Sequence, residues 1–101
     1  MKLTLTALTV VAALVANGAA AFEPADLQKL KDTGNCVECD LFKAILSGAN
    51  LSRANLNGAW LRKADLSEAY LSEADLTGAI MNGVILCNTT MPDGLANDSG
   101  C

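Results

Sequence analysis

Histidine is absent from all 101 residues, which removes the usual general base near neutral pH and the commonest nitrogen ligand for a metal. Positive charge is scarce too. The chain has 7 basic residues against 11 acidic ones and a formal charge of −4, a balance that argues against unspecific attachment to nucleic acid. A membrane-spanning run is also missing: the apolar stretch from Leu3 to Val15 falls short of the roughly 20 residues that a spanning helix needs, and Asn17 and Gly18 dilute it. Lys2 ahead of that run and Ala19-Ala20-Ala21 behind it read instead as a cleavable secretory signal over residues 1–21. Phe22, not cysteine, follows the cleavage site, so no lipid anchor is expected there. The predicted product is exported, without a stable membrane anchor after cleavage. Its destination is the periplasm or the medium, or the thylakoid lumen in a photosynthetic source.

Any ordinary secondary-structure period is missing from the segment Asp40 to Met91. Leu41, Leu46, Leu51, Leu56, Leu61, Leu66, Leu71, Leu76, Met81, Leu86 and Met91 recur at a spacing of five, and Ala44, Ala49, Ala54, Ala59, Ala64, Ala69, Ala74 and Ala79 stand two residues before eight of them. On an α-helix a step of five turns a side chain by about 500°, so these leucines would scatter around the circumference. On a flat strand an odd step sends successive leucines to opposite faces. The pattern is consistent only if the backbone bends every five residues, so that each leucine and each alanine returns to one central axis.

The units Ala49-Asn50-Leu51-Ser52-Arg53, Ala54-Asn55-Leu56-Asn57-Gly58, Ala64-Asp65-Leu66-Ser67-Glu68 and Ala74-Asp75-Leu76-Thr77-Gly78 resemble the A-(D/N)-L-X-X unit of the pentapeptide-repeat family. The resemblance covers about half of the chain. It implies an all-β solenoid, a right-handed quadrilateral β-helix with four units to a turn, here of two to three coils over residues 36–91. A short capping helix and turn over 22–35 are expected before it, because Pro24 suits a first helical position and Gly34 a stop. An irregular tail over 92–101 is expected after it, opened by Pro92-Asp93-Gly94. The helix would cover the first coil, whose leucines and strand edges have no neighbour below.

The resemblance also says which outward side chains are neighbours, since residues twenty apart stack. Asp40, Trp60 and Ile80 form one column, Ile45, Asp65 and Ile85 the next, Asn50 and Tyr70 a third, Asn55 and Asp75 a fourth. Trp60, Ile80 and Ile85 thus stand exposed where the family motif prefers Asp or Asn, an apolar patch that invites a partner unless the tail folds over it with Leu95 and Met91. Lys43 and Lys63 stack, with Arg62 adjacent, as a basic ridge. Gly48, Gly58, Gly78 and Gly83 at the second corner position fit a type II turn, whereas Arg53, Lys63, Glu68 and Glu73 at the same position predict a different turn.

Four cysteines in an exported chain read first as disulfides. Cys39 and Cys87 would lie about two coils apart, at roughly 4.8 Å per coil, beyond the reach of a disulfide. Cys36–Cys39 and Cys87–Cys101 are preferred, with a bond from Cys36 or Cys39 to Cys101 as the alternative if the tail runs the height of the coil. The sharper readings of Cys36-Val37-Glu38-Cys39, a redox pair or part of a zinc site, lack the helix N-terminus and the ligand spacing that such chemistry uses.

The leading functional expectation is an exported, non-catalytic structural or protein-interaction module, with no cofactor, metal or catalytic residue. Its partner would be an envelope protein or, through the apolar face, a second copy of the chain. A thiol-disulfide protein using Cys36 and Cys39 is the enzymatic alternative. A DNA mimic that inhibits a topoisomerase, as some members of the family are, is the third. Five acidic residues against four basic between Asp40 and Met91 make a poor mimic of DNA.

Overall fold

The computed structural model describes residues 21–101, so the predicted signal, apart from Ala21, lies outside the described residues. Helix α1 spans Pro24–Thr33. Pro24 opens it, a carboxylate oxygen of Glu23 accepts the Ala25 N–H at 3.4 Å, and Gly34 closes it in the left-handed conformation, φ +71°, donating to the Leu30 carbonyl. A helix of 10 residues is marginal alone, and this one packs Leu30, with Leu27 and Phe22, against the leucine core. It also meets the chain's backbone. The Asp40 N–H donates to Oδ2 of Asp26 at 2.8 Å, and the Asp40 carbonyl accepts from the Glu23 N–H at 3.1 Å. Those are the two groups that a lower coil would otherwise have paired.

From Asn35 to Thr90 the chain winds into a solenoid. Parallel bridges join residues twenty apart: Asn35 to Asn55 to Asp75, Asp40 to Trp60 to Ile80, Ile45 to Asp65 to Ile85, and Asn50 to Tyr70 to Thr90. The contact between turns repeats along each column. Leu61 and Lys63 donate upward to the carbonyls of Ile80 and Asn82, both at 2.9 Å, and Ile80 donates back to Ala59 at 2.9 Å. At each corner the alanine N–H returns to the leucine three residues earlier, as Ala64 does to Leu61 at 2.9 Å. Each quintet is therefore one bridging step and one turn. Leu41, Leu56, Leu61, Leu66 and Leu71 are fully buried, and Ala44, Ala59, Ala64 and Ala69 fill the space between them. Leu76, Met81, Leu86 and Met91 are only half-buried, because no further coil lies above them.

The repeat begins one quintet before the leucine series does. Asn35 already forms a bridge, Cys36 takes the inward leucine place, and Glu38 takes the corner with φ +56°. At the other end, β1 (Thr89–Thr90) pairs antiparallel with β2 (Ala96–Asn97), Thr89 facing Asn97. Thr89 replaces an inward alanine, is fully buried, and places its hydroxyl 2.7 Å from the Leu66 carbonyl, to which it donates.

The expectation of two corner types is wrong. Arg53, Lys63, Glu68 and Glu73 have φ between +59° and +63°. The glycines Gly48, Gly58, Gly78 and Gly83 have φ between +69° and +74°. Coils stacked in register must bend alike at every corner, so the ladder imposes the left-handed conformation on whatever residue stands there. A non-glycine residue there costs about 1–2 kcal/mol, whereas glycine adds about 0.4–1 kcal/mol of unfolded-chain entropy. Glu68→Gly is therefore expected to leave stability unchanged or raise it by up to about 1 kcal/mol, and Gly78→Ala to lower it by about 1 kcal/mol. A Cβ at Gly78 would meet nothing nearer than 3.7 Å, so thermal melts of the two variants isolate the backbone effect.

Candidate interaction surface

Outward side chains sit on the residue just before each leucine, and most of the Asp and Asn residues there have a local duty. A side-chain oxygen of Asp40, Asn50, Asn55, Asp65 or Asp75 accepts the backbone N–H two residues on, at 3.0–3.2 Å. These are Asx turns that brace the corner. Two of the carboxylates are held below the usual range. For Asp65 the Ser67 hydroxyl, at 2.6 Å, is the main cause and the Ser67 N–H the second. For Asp75 the Thr77 side chain and then the Thr77 N–H do the same.

Ile45, Trp60, Tyr70, Ile80 and Ile85 occupy the equivalent position and give that brace up. They place apolar surface in water instead: Ile45 is 72% exposed, Tyr70 54%, Trp60 52% and Ile85 41%, while Ile80 is half-buried. Trp60 bridges directly to Ile80, and Ile85 lies on the adjoining column above Asp65. The tail does not cover them. It pairs with Thr89–Thr90, and its own Leu95 is 67% exposed.

The bracing of the remaining corners and the stacking of the columns fit one particular architecture. A family profile described as pentapeptide repeats matches residues 35–69 and 54–91, in 8 copies. The chain belongs to the pentapeptide-repeat family. Membership carries the right-handed β-helix of that family, and the repeat region is consistent with a non-catalytic repeat module. Among solved structures, the chain is similar to HetL, a pentapeptide repeat protein involved in heterocyst differentiation regulation from the cyanobacterium Nostoc sp. strain PCC 7120. The identity is 34% and the TM-score 0.32, over 62% of this chain and 36% of HetL. The pentapeptide-repeat chain thus spans about a third of HetL's length. No curated protein matches it.

The basic residues come together as well. Lys43 donates its backbone N–H to the Arg62 carbonyl at 2.9 Å, and Lys63 stands above Lys43 in the next coil. Lys43 Nζ leans over the Phe42 ring, 5.3 Å from its centre, so part of its charge is taken up within its own corner. Arg53 pairs with Glu73 across one coil at 2.8 Å, both side chains well exposed, which contributes little.

All four cysteines are bonded, Cys36 to Cys39 and Cys87 to Cys101, with Cα–Cα distances of 5.3 and 4.7 Å. The Cys36–Cys39 bond does not merely close the turn after the helix. It lies inside the first coil, with both residues at 4% exposure or less, so a redox partner has no path to it.

One feature escaped the sequence pattern. Gly48, Glu68, Tyr70, Asn88 and Thr90 line an open groove of about 450 Å³ between a corner column and the next face. The stacking of Asn50 with Tyr70 was legible, but the hollow depends on the missing side chain of Gly48 and on where the tail leaves Asn88.

Proposed function

We propose that this pentapeptide-repeat protein is an exported, non-catalytic interaction module that binds a protein of the cell envelope through Trp60, Ile80 and Ile85. Export rests on the signal read over residues 1–21. The scaffold has two to three coils, with α1 as its lower cap, since Asp26 of α1 and Glu23 just before it satisfy the two backbone groups of Asp40 that a coil below would have paired. One observation carries the interaction reading. Five quintets forgo the Asx brace that Asp or Asn provides and present apolar side chains to water instead. Each exchange costs local hydrogen bonding, and at four of the five, Ile45, Trp60, Tyr70 and Ile85, it leaves 41–72% of the residue in water, which is the expected signature of a surface kept for a partner. The Lys43, Arg62 and Lys63 ridge lies one column from Trp60 and would meet acidic groups at the rim of such an interface.

The test compares the native protein with a Trp60→Ser, Ile80→Asn variant in affinity capture from an envelope extract, with sedimentation of each alone. The reading expects the variant to lose at least one protein that the native chain retains, with both species monomeric. A native dimer that the variant dissolves would make a second copy the partner instead. Equal recovery of every captured protein, with unchanged sedimentation, overturns the reading.

A further inference from the structure

The two disulfides sit in opposite surroundings. Cys36 is 0% and Cys39 4% exposed, enclosed by the first coil and α1. Cys101 is exposed and Cys87 half-buried, on the outer side of the last coil. Thiol–disulfide exchange proceeds by attack of a thiolate on one sulfur, so access to that sulfur sets which bond reacts. Apart from the outer bond, the segment it retains is held by hydrogen bonds alone, among them the Glu73 N–H to the Pro92 carbonyl at 3.0 Å and the Met91 N–H to the Leu95 carbonyl at 2.8 Å. Gly100 donates to the Leu86 carbonyl at 2.7 Å, Oδ1 of Asp98 accepts the Asn88 N–H at 2.9 Å, and β2 pairs over two residues with β1. No side chain between Pro92 and Cys101 is fully buried, and Leu95 stands in water.

We infer that Cys87–Cys101 is a thiol–disulfide exchange site that takes an external protein dithiol as co-reactant, and that its opening frees the tail from the upper edge of the coil while Cys36–Cys39 stays closed. The thiolate of the dithiol attacks Sγ of Cys101, the more exposed of the two residues. The Cys87–Cys101 bond breaks, and its electron pair leaves on Sγ of Cys87, which takes a proton from water. The second thiol of the co-reactant then attacks the mixed disulfide and releases Cys101 as a thiolate. Two electrons enter the chain, and the co-reactant ends as a disulfide. With the latch open, Asn88 loses Asp98 as its acceptor, Thr89 and Thr90 lose β2, and Leu86 loses Gly100. That bares a strand edge able to accept another extended segment. Asn88 and Thr90 also line the groove beside Tyr70 and Glu68, so the state of this bond shapes the groove's upper wall.

The experiment treats the purified oxidised protein with dithiothreitol, quenches with iodoacetamide over time, maps the alkylated peptides, and follows amide exchange in parallel. Cys87 and Cys101 are expected to be alkylated more than about tenfold faster than Cys36 and Cys39. At that stage the Asn88 and Gly100 amides should have lost protection while those of Leu61 and Leu66 keep it. A Cys87→Ala, Cys101→Ala variant should show the same open tail over an intact coil. Equal rates for the two bonds, earlier reduction of Cys36–Cys39, unchanged protection of Asn88 and Gly100 after reduction, or loss of the coil in the double variant would each overturn the inference.

Discussion

Ala64→Leu is expected to destabilise the protein by about 3 kcal/mol or more, enough to leave much of it unfolded at ordinary temperature. Ala64 is fully buried, bounded by Ala44 in the coil below and Val84 in the coil above, with Leu61 and Leu66 to either side. Three added heavy atoms have nowhere to go, because the four walls of the coil are tied by hydrogen bonds of 2.7–3.0 Å that would have to lengthen together. The backbone cannot yield at one corner alone. Ser67→Leu adds similar bulk three residues later, where the side chain points outward. It is expected to cost only about 1 kcal/mol, chiefly the lost hydroxyl contact to Asp65. Chemical denaturation of the two variants measures the gap directly.

Leu61→Ala carries the second large effect. Leu61 is fully buried near the middle of the stack, and truncation leaves a cavity that a hydrogen-bonded wall cannot collapse to fill. A loss of roughly 3–5 kcal/mol follows, in the upper part of the range for such changes. Leu86→Ala removes the same atoms from the half-covered upper coil, where water already reaches part of the side chain. Its cost should be about half as large. Equal costs for the two would mean that the upper end is as tightly closed as the middle, against the exposure seen at Leu76, Met81, Leu86 and Met91.

Much of the fold was legible because a period of five admits so few backbones. Once the chain must bend at each quintet, residues twenty apart become neighbours, and the columns through Trp60, Asp65, Tyr70 and Asp75 appear as bridges in the structure. The start of the coil, expected at residue 36, lies one residue earlier at Asn35, although Cys36 stands where a leucine would have announced the quintet. The corners at Arg53 and Glu68 were misread because side-chain preference was allowed to choose the turn, whereas the stacking of coils chooses it. The Asx bonds were missed as well. The motif's preference for Asp or Asn just before the leucine came without a reason, and the oxygens of Asp65 and Asn55 supply one by accepting the N–H two residues along. Seeing that leaves Trp60, Tyr70 and the isoleucines as the positions without a local explanation, which sharpens the candidate surface. The exposure of Leu95 depends on where ten irregular residues settle, and no repeat governs those.

The twenty-residue register supports every neighbour relation above, and through-space backbone contacts in solution test it most directly. Nuclear Overhauser effects should join the amide regions of Leu61 and Ile80, Lys63 and Asn82, and Leu66 and Ile85, each pair bonded at 2.9–3.0 Å. A set of medium-range contacts at spacings of three and four through 40–91, or a ladder at any spacing other than about twenty, would contradict the account.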